Sequence, residues 1–248
     1  MADALAITAA SMFNDMQRMS TLSHNLANAT TPGFRREIAY TRPFADQLAD
    51  QLADQIAARP GHAGVRALLP DFRSTIDHRP GTLRPTNAPL DLAIEGDGYF
   101  EVQADDGVAY TRQGDFQLDS RGRLVNRSGL PVLGNSGEIT LGNGAVRIDS
   151  QGRVFEDQRD AGQLRLLRFE RPQTLQALGE GLFRAPSEAA APVESPRVRQ
   201  AHLENSNVQT TREMVHLIET MRHFEAGQKL IQGVDEILGR AIRTLGEY

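Results

Sequence analysis

The chain contains no cysteine and no tryptophan among its 248 residues. Without cysteine there is neither a disulfide framework nor thiolate chemistry, so the chain is compatible with either redox compartment. Aromatic residues make up only 6%, against 40% hydrophobic residues overall, so any core must be aliphatic. Basic residues are not in excess: 27 Lys and Arg stand against 32 Asp and Glu, a formal charge of −5. That balance removes the electrostatic case for nucleic acid as a partner. No apolar run approaches the roughly 18–20 residues needed to cross a bilayer, so membrane insertion is not expected. Met1 to Ala10 lacks the basic n-region and apolar h-region of a secretory signal, so a form that leaves the cytoplasm is expected to use a specialised route. The length fits one large domain or two modest ones.

What the chain does have is amphipathic helix at both ends. The first thirty residues hold no Gly or Pro, and Leu5, Ala9, Met12, Met16, Met19, Ser23 and Leu26 follow 4-3-4-3-4-3 spacing. That is a heptad seam. Asp3 is a plausible N-cap. The helix is predicted to stop near Asn28, because Thr31 precedes Pro32 and is pushed out of helical space. At the other end Thr210 and Glu213 form a capping-box pattern. Met214, Leu217, Met221, Phe224, Gln228, Ile231, Asp235, Leu238, Ile242 and Leu245 then keep 3-4 spacing. As one helix this stretch would be about 50 Å long. Burying one stripe does not offset the cost of ordering so long a backbone, which Gly227, Gly233 and Gly239 raise further. Val215, Ile218, Leu230, Val234, Ile237 and Ala241 supply a second stripe beside the first. Periodicity alone leaves two readings open, an internal bundle or an interface with other subunits.

Between the helices the pattern changes. FADQLADQLADQIAA at 44–58 predicts a short helix, with Leu48, Leu52 and Ile56 in line. Residues 59–89 are Pro-, Gly- and Arg-rich and read as a connection. From Leu90 to about Phe183, short apolar runs alternate with glycine turns every 8–12 residues, which predicts an all-β unit of hairpins. Ala185 to Arg197 is Ala/Pro/Ser-rich and reads as a linker.

No catalytic, cofactor or metal constellation emerges. Asp119-Ser-Arg-Gly122 and Asp149-Ser-Gln-Gly152 lack the alternating acidic ligands and terminal Glu of a calcium loop, and hairpin turns explain them better. Gly96-Asp97-Gly98 is too short to cradle phosphate and has no following helix and Lys. His216 and His223 share a helix face without a third ligand. The serines show no nucleophile elbow. No enzyme is expected.

Three blocks carry a resemblance. Ser23 to Arg35 reads SHNLANATTPGFR, with Asn25, Leu26, Ala27 and Asn28 followed by Thr31, Gly33, Phe34 and Arg35. The second block is PLDLAIEGDGYF at 89–100, continued by YTRQGDF at 110–116 and by Leu118 to Leu133. The third is LENSNV at 203–208, with Glu213-Met214-Val215 and Arg222-His223-Phe224-Glu225. In this order, over about half the chain, they resemble the bacterial flagellar rod and hook proteins. The Thr-Pro-Gly-Phe-Arg form and the Arg-His-Phe-Glu block are most similar to the proximal-rod (F) type. Residues 44–58 resemble the insertion of the distal-rod type, the second choice.

The resemblance implies an α+β fold. Discontinuous N- and C-terminal helices would pair as a coiled coil, and an all-β domain would sit centrally. The implied domains are 1–43, the short helix and linker 44–69, the β domain 70–184, a linker 185–202 and the C-terminal helix 203–248. It further implies a subunit of the periplasmic drive shaft that transmits torque to the hook. Such a subunit would be exported by the flagellar type III apparatus without a cleaved signal, would depend on a rod cap, and would polymerise with other rod proteins and with itself. On this reading Leu5, Met12, Met16, Met19, Asn25, Leu26, Asn28, Phe34, Met214, Leu217, Met221, Phe224, Ile231, Leu238, Ile242 and Leu245 form the assembly interface. On their own residues, Asn25 and Asn28 can also serve orphan backbone groups at the helix end, and Phe34 can be a simple core contact. The alternative function is a secreted cell-wall-binding β module with helical dimerisation ends. It would require displayed aromatics, and the β region offers only Tyr99, Phe100, Tyr110, Phe116, Phe155 and Phe169.

Overall fold

The computed structural model describes residues 2–41, 72–185 and 190–246. The short helix expected at 44–58 lies outside the described residues. The chain divides into two units, one built from residues 1–27, 37–75 and 209–248 and the other from 28–36 and 76–208.

The first unit is helical. Helix α1 spans Ala2–Ala27 and helix α2 spans Thr210–Gly246. α1 stops ahead of the Thr31-Pro32 pair, where the chain turns with the Thr31 N–H on the Asn28 carbonyl at 3.1 Å. The two helices pack against each other, and a two-stranded ribbon of Glu37–Thr41 with Phe72–Ile76 accompanies them. That second strand falls in the stretch read as a loop-rich connection.

The second unit is β-rich, as the turn spacing predicts. Its centre is a six-stranded sheet in the order 176–179, 182–184, 107–111, 99–104, 166–169, 190–192. Successive side chains of a strand point to opposite faces, and both faces here are covered. Phe100, Val102, Ala109 and Leu166 enter the larger core with Leu92, Phe116, Leu124, Val132 and Val154. Tyr99, Tyr110, Leu167 and Phe169 enter a second core with Leu175 and Phe183, which is mostly aromatic rather than aliphatic as composition suggested, because these aromatics are gathered on one face. The rings meet edge to face, Phe100 on Phe116 at 5.0 Å and Tyr110 on Phe169 at 5.0 Å, the arrangement ring quadrupoles prefer. Five of the six aromatics that could have been displayed to a glycan are buried, and Phe155 is half-buried.

The two Asp-Ser-X-Gly segments are hairpin turns of one design. Asp119 Oδ1 accepts the backbone N–H groups of Arg121 and Arg123 at 2.8 and 2.9 Å, and Oδ2 accepts Arg123 Nε at 2.8 Å. Asp149 does the same with Gln151 and Arg153 at 2.9, 2.9 and 2.8 Å. Both carboxylates are therefore engaged by their own turns.

The stretch expected as a linker is partly strand. Ala190–Pro192 pairs with 167–169, and Val198–Gln200 pairs with 92–94. Alanine and proline suggest a linker by composition, but a sheet edge tolerates both. His202–Glu204 then pairs with Leu83–Pro85, so the start of the third motif is strand, not helix.

Candidate assembly interface

α1 and α2 run antiparallel along one seam. Asn25 meets Glu213, Asp15 meets His223, and Met12 meets Gly227. A Cβ on Gly227 would press within 2.9 Å of Met12 Cγ, so glycine lets the helices approach there. The α1 positions turned inward are Leu5, Thr8, Met12, Asp15, Met19, Leu22 and Leu26, all buried or half-buried. On α2 they are Glu213, Leu217, Thr220, Phe224, Gly227, Ile231 and Val234. Each is a heptad row, and each differs from the sequence expectation in one of its two tracks. Leu5, Met12, Met19, Leu26, Leu217, Phe224 and Ile231 hold the inward track. Met16 is 54% exposed, and Met214 and Met221 are each 47% exposed, because Asp15, Glu213 and Thr220 take the inward places beside them. Leu238, Ile242 and Leu245 fall in the last turns of α2, where the side chains lie outside the described residues.

Hydrophobic patterning misses these polar places because it assigns the seam to the more apolar neighbour. The burial is tolerated because the polar groups find partners. The Asp15 carboxylate meets His223 Nδ1. Asn25 Nδ2 donates to Glu213 Oε2 at 3.1 Å, and Asn25 also exchanges two hydrogen bonds with the backbone of Glu37 at 2.7 and 2.8 Å. Asn25 thus ties the end of α1 to the ribbon and to α2. The signal in the sequence was a polar residue immediately before Met16, Met214 and Met221.

Outside the seam the helical unit displays large apolar side chains. Ile7, Phe13 and Met16 lie exposed on α1, and Met214, Val215, Ile218, Met221, Leu230 and Ile237 on α2. Leu22 is its single buried large apolar residue among those described.

Asn28 and Phe34 belong to the second unit, where parts of all three motif blocks converge. Asn28 Oδ1 accepts the Thr31 hydroxyl at 3.2 Å. Phe34 is buried, and its carbonyl accepts the Asn207 N–H at 3.4 Å. Gly33 has φ +65° and donates its N–H to the Glu204 carbonyl at 2.8 Å, while a Cβ there would lie 2.4 Å from the Arg112 backbone. Only glycine fits both demands. Arg35 Nη1 meets Glu204 Oε1 at 2.6 Å, and Arg112 Nε stands 3.4 Å from Glu204 Oε2, with all three side chains at most 3% exposed. Burial pushes the Arg112 pKa down; Glu204 opposes this shift and Arg35 adds to it. Glu204 Oε1 also accepts the Gly81 N–H at 2.8 Å, and Asn207 Oδ1 accepts the Arg36 N–H at 2.7 Å. Arg35, Arg112 and Glu204 are letters of three separate motif blocks, and only the fold brings them together.

Known proteins resemble the chain over most of its length. Residues 93–156 match the family described as flagellar hook protein FlgE/F/G D1 domain, and 199–244 match flagellar basal body rod FlgEFG protein C-terminal. The flagellar basal-body rod protein FlgF of Salmonella typhimurium is 34% identical over 93% of this chain and 93% of its own length. FlgG of Bacillus subtilis is 32% identical over 92% and 93%. FlgG of Buchnera aphidicola from Acyrthosiphon pisum is 32% identical over 89% and 91%. The chain belongs to the flagellar basal-body rod protein family, as a structural subunit of the rod in the flagellar basal body.

Proposed function

We propose that this chain polymerises into the rod through the outward faces of α1 and α2, which pair with each other as a coiled coil. The rod so formed carries torque from motor to hook. The observation that carries this reading is the imbalance of the helical unit: among the described residues, one large apolar side chain is buried against nine exposed on its two helices. Exposed apolar surface on this scale marks an interaction site. Met16, Met214 and Met221 are the outward members of the expected interface, and neighbouring rod subunits are their partners. Leu5, Met12, Met19, Leu26, Leu217, Phe224 and Ile231 act indirectly, by holding the two helices together. Asn25 and Asn28 are engaged within the chain at the end of α1, and Phe34 is buried within the second unit.

The Thr31–Arg35 and Arg222–Glu225 blocks support the proximal-rod type. Export by the flagellar apparatus and capped assembly complete the proposal. The test is a tagged chain carrying Met214→Ser and Met221→Ser in its own host. Purified hook-basal bodies are expected to lack the double variant while retaining the tagged unaltered chain. Normal incorporation of the double variant would contradict the interface.

A further inference from the structure

The buried Arg35–Glu204–Arg112 cluster has a consequence for how the β unit closes. Two guanidinium groups flank one carboxylate, and all three are withdrawn from water. Among the described residues, Arg35 Nε, Arg112 Nη1 and Glu204 Oε2 have no hydrogen-bond partner, so the arrangement rests heavily on charge. Take away the carboxylate and the two buried cations lose the counter-charge they share, which is strongly unfavourable. Segment 28–36 is also held on the unit by burial of Phe34 and by hydrogen bonds. These include the Gly33 N–H to Glu204, the Phe34 carbonyl and Arg36 N–H to Asn207, the Arg36 carbonyl to Asp77, and Arg35 to the Arg79 carbonyl. Most of these run to residues 204–207. The larger core, around Phe100 and Leu124, contains none of residues 28–36.

We propose that residues 28–36 form a strap whose closure is switched by the Glu204 charge, so that the β unit completes itself only when both ends of the chain are present. Synthesis proceeds from the N-terminus, so Arg35 and Arg112 emerge long before their counter-charge. Until residue 204 arrives, closing the strap would bury two like charges, and the strap stays open. Closure is then a late step that reports a complete chain.

The experiment is amide hydrogen exchange on the full-length chain, comparing peptides that cover 28–36 and 99–104. Glu204→Gln keeps the shape and removes the charge. Exchange across 28–36 is expected to accelerate at least tenfold, while 99–104 changes by less than twofold. Adding Arg112→Gln to Glu204→Gln removes the repulsion and is expected to restore part of the protection at 28–36. The proposal is overturned if 28–36 stays within twofold of the unaltered chain. It is equally overturned if both segments lose protection together, or if the double variant exchanges faster at 28–36 than Glu204→Gln alone.

Discussion

The two units differ in what they do with their apolar side chains. The β unit buries nearly all of its large ones, exposing only Val108 and Leu178 appreciably among the described residues. The helical unit does the reverse, spending inward positions on Asp15, Asn25, Glu213 and Thr220 while Met16, Met214 and Met221 face out. A unit that closes its own core can be stable alone. A unit that pairs polar groups inside and shows apolar ones outside has its remaining stabilisation in a partner. On the proposed reading, assembly lies in the helices and self-sufficiency in the strands.

The largest effect that would break this contrast is in the β core. Phe100 is fully buried against Phe116, and Phe100→Ala should cost about 3–5 kcal/mol by the usual penalty for an aromatic cavity. Urea unfolding followed by near-ultraviolet circular dichroism checks it. Next comes Asn25→Ala, which leaves the buried Glu213 carboxylate and the Glu37 backbone without the amide; a loss of about 2–3 kcal/mol in the helical unit is expected, read by far-ultraviolet circular dichroism at 222 nm. Asp15→Asn should cost less, about 0.5–1 kcal/mol, because His223 remains largely exposed. If it equalled Asn25→Ala, the seam's polar pairs would be equivalent and the anchoring role of Asn25 would fall.

The smallest effect concerns pH. Burial, aided by the nearby Arg35 charge, lowers the His78 pKa from its ordinary 6.5. A lowered histidine favours the neutral form in the folded state, so the unfolded chain binds the proton first. Stability is therefore full above the ordinary value and declines as pH falls from 6.5 toward the depressed value. The melting temperature of the unaltered chain should drop more between pH 7 and pH 5.5 than that of His78→Gln. Equal drops would remove His78 from the account.

Much of this was legible in the sequence, for identifiable reasons. Glycine turns at regular spacing foretold the β unit, and the heptads foretold a helix at each end of the chain. One track of each seam was not legible, because Asp15 and Glu213 look solvent-facing until their partners, 208 and 188 residues away, are known. The strands at 190–192 and 198–200 were hidden by composition, since pairing partners rather than propensity make them strands. The motif letters were visible, but their meeting at Glu204 depends on a fold that brings 35, 112 and 204 together.

The most direct test of the contrast is hydrogen exchange across dilution. In dilute monomer, α1 and α2 are expected to exchange much faster than the strands at 99–104 and 166–169, and to gain protection only on polymerisation. Helices in dilute monomer as protected as those strands, with no gain on assembly, would show that the helical unit is complete by itself and that its exposed apolar faces are not the rod interface.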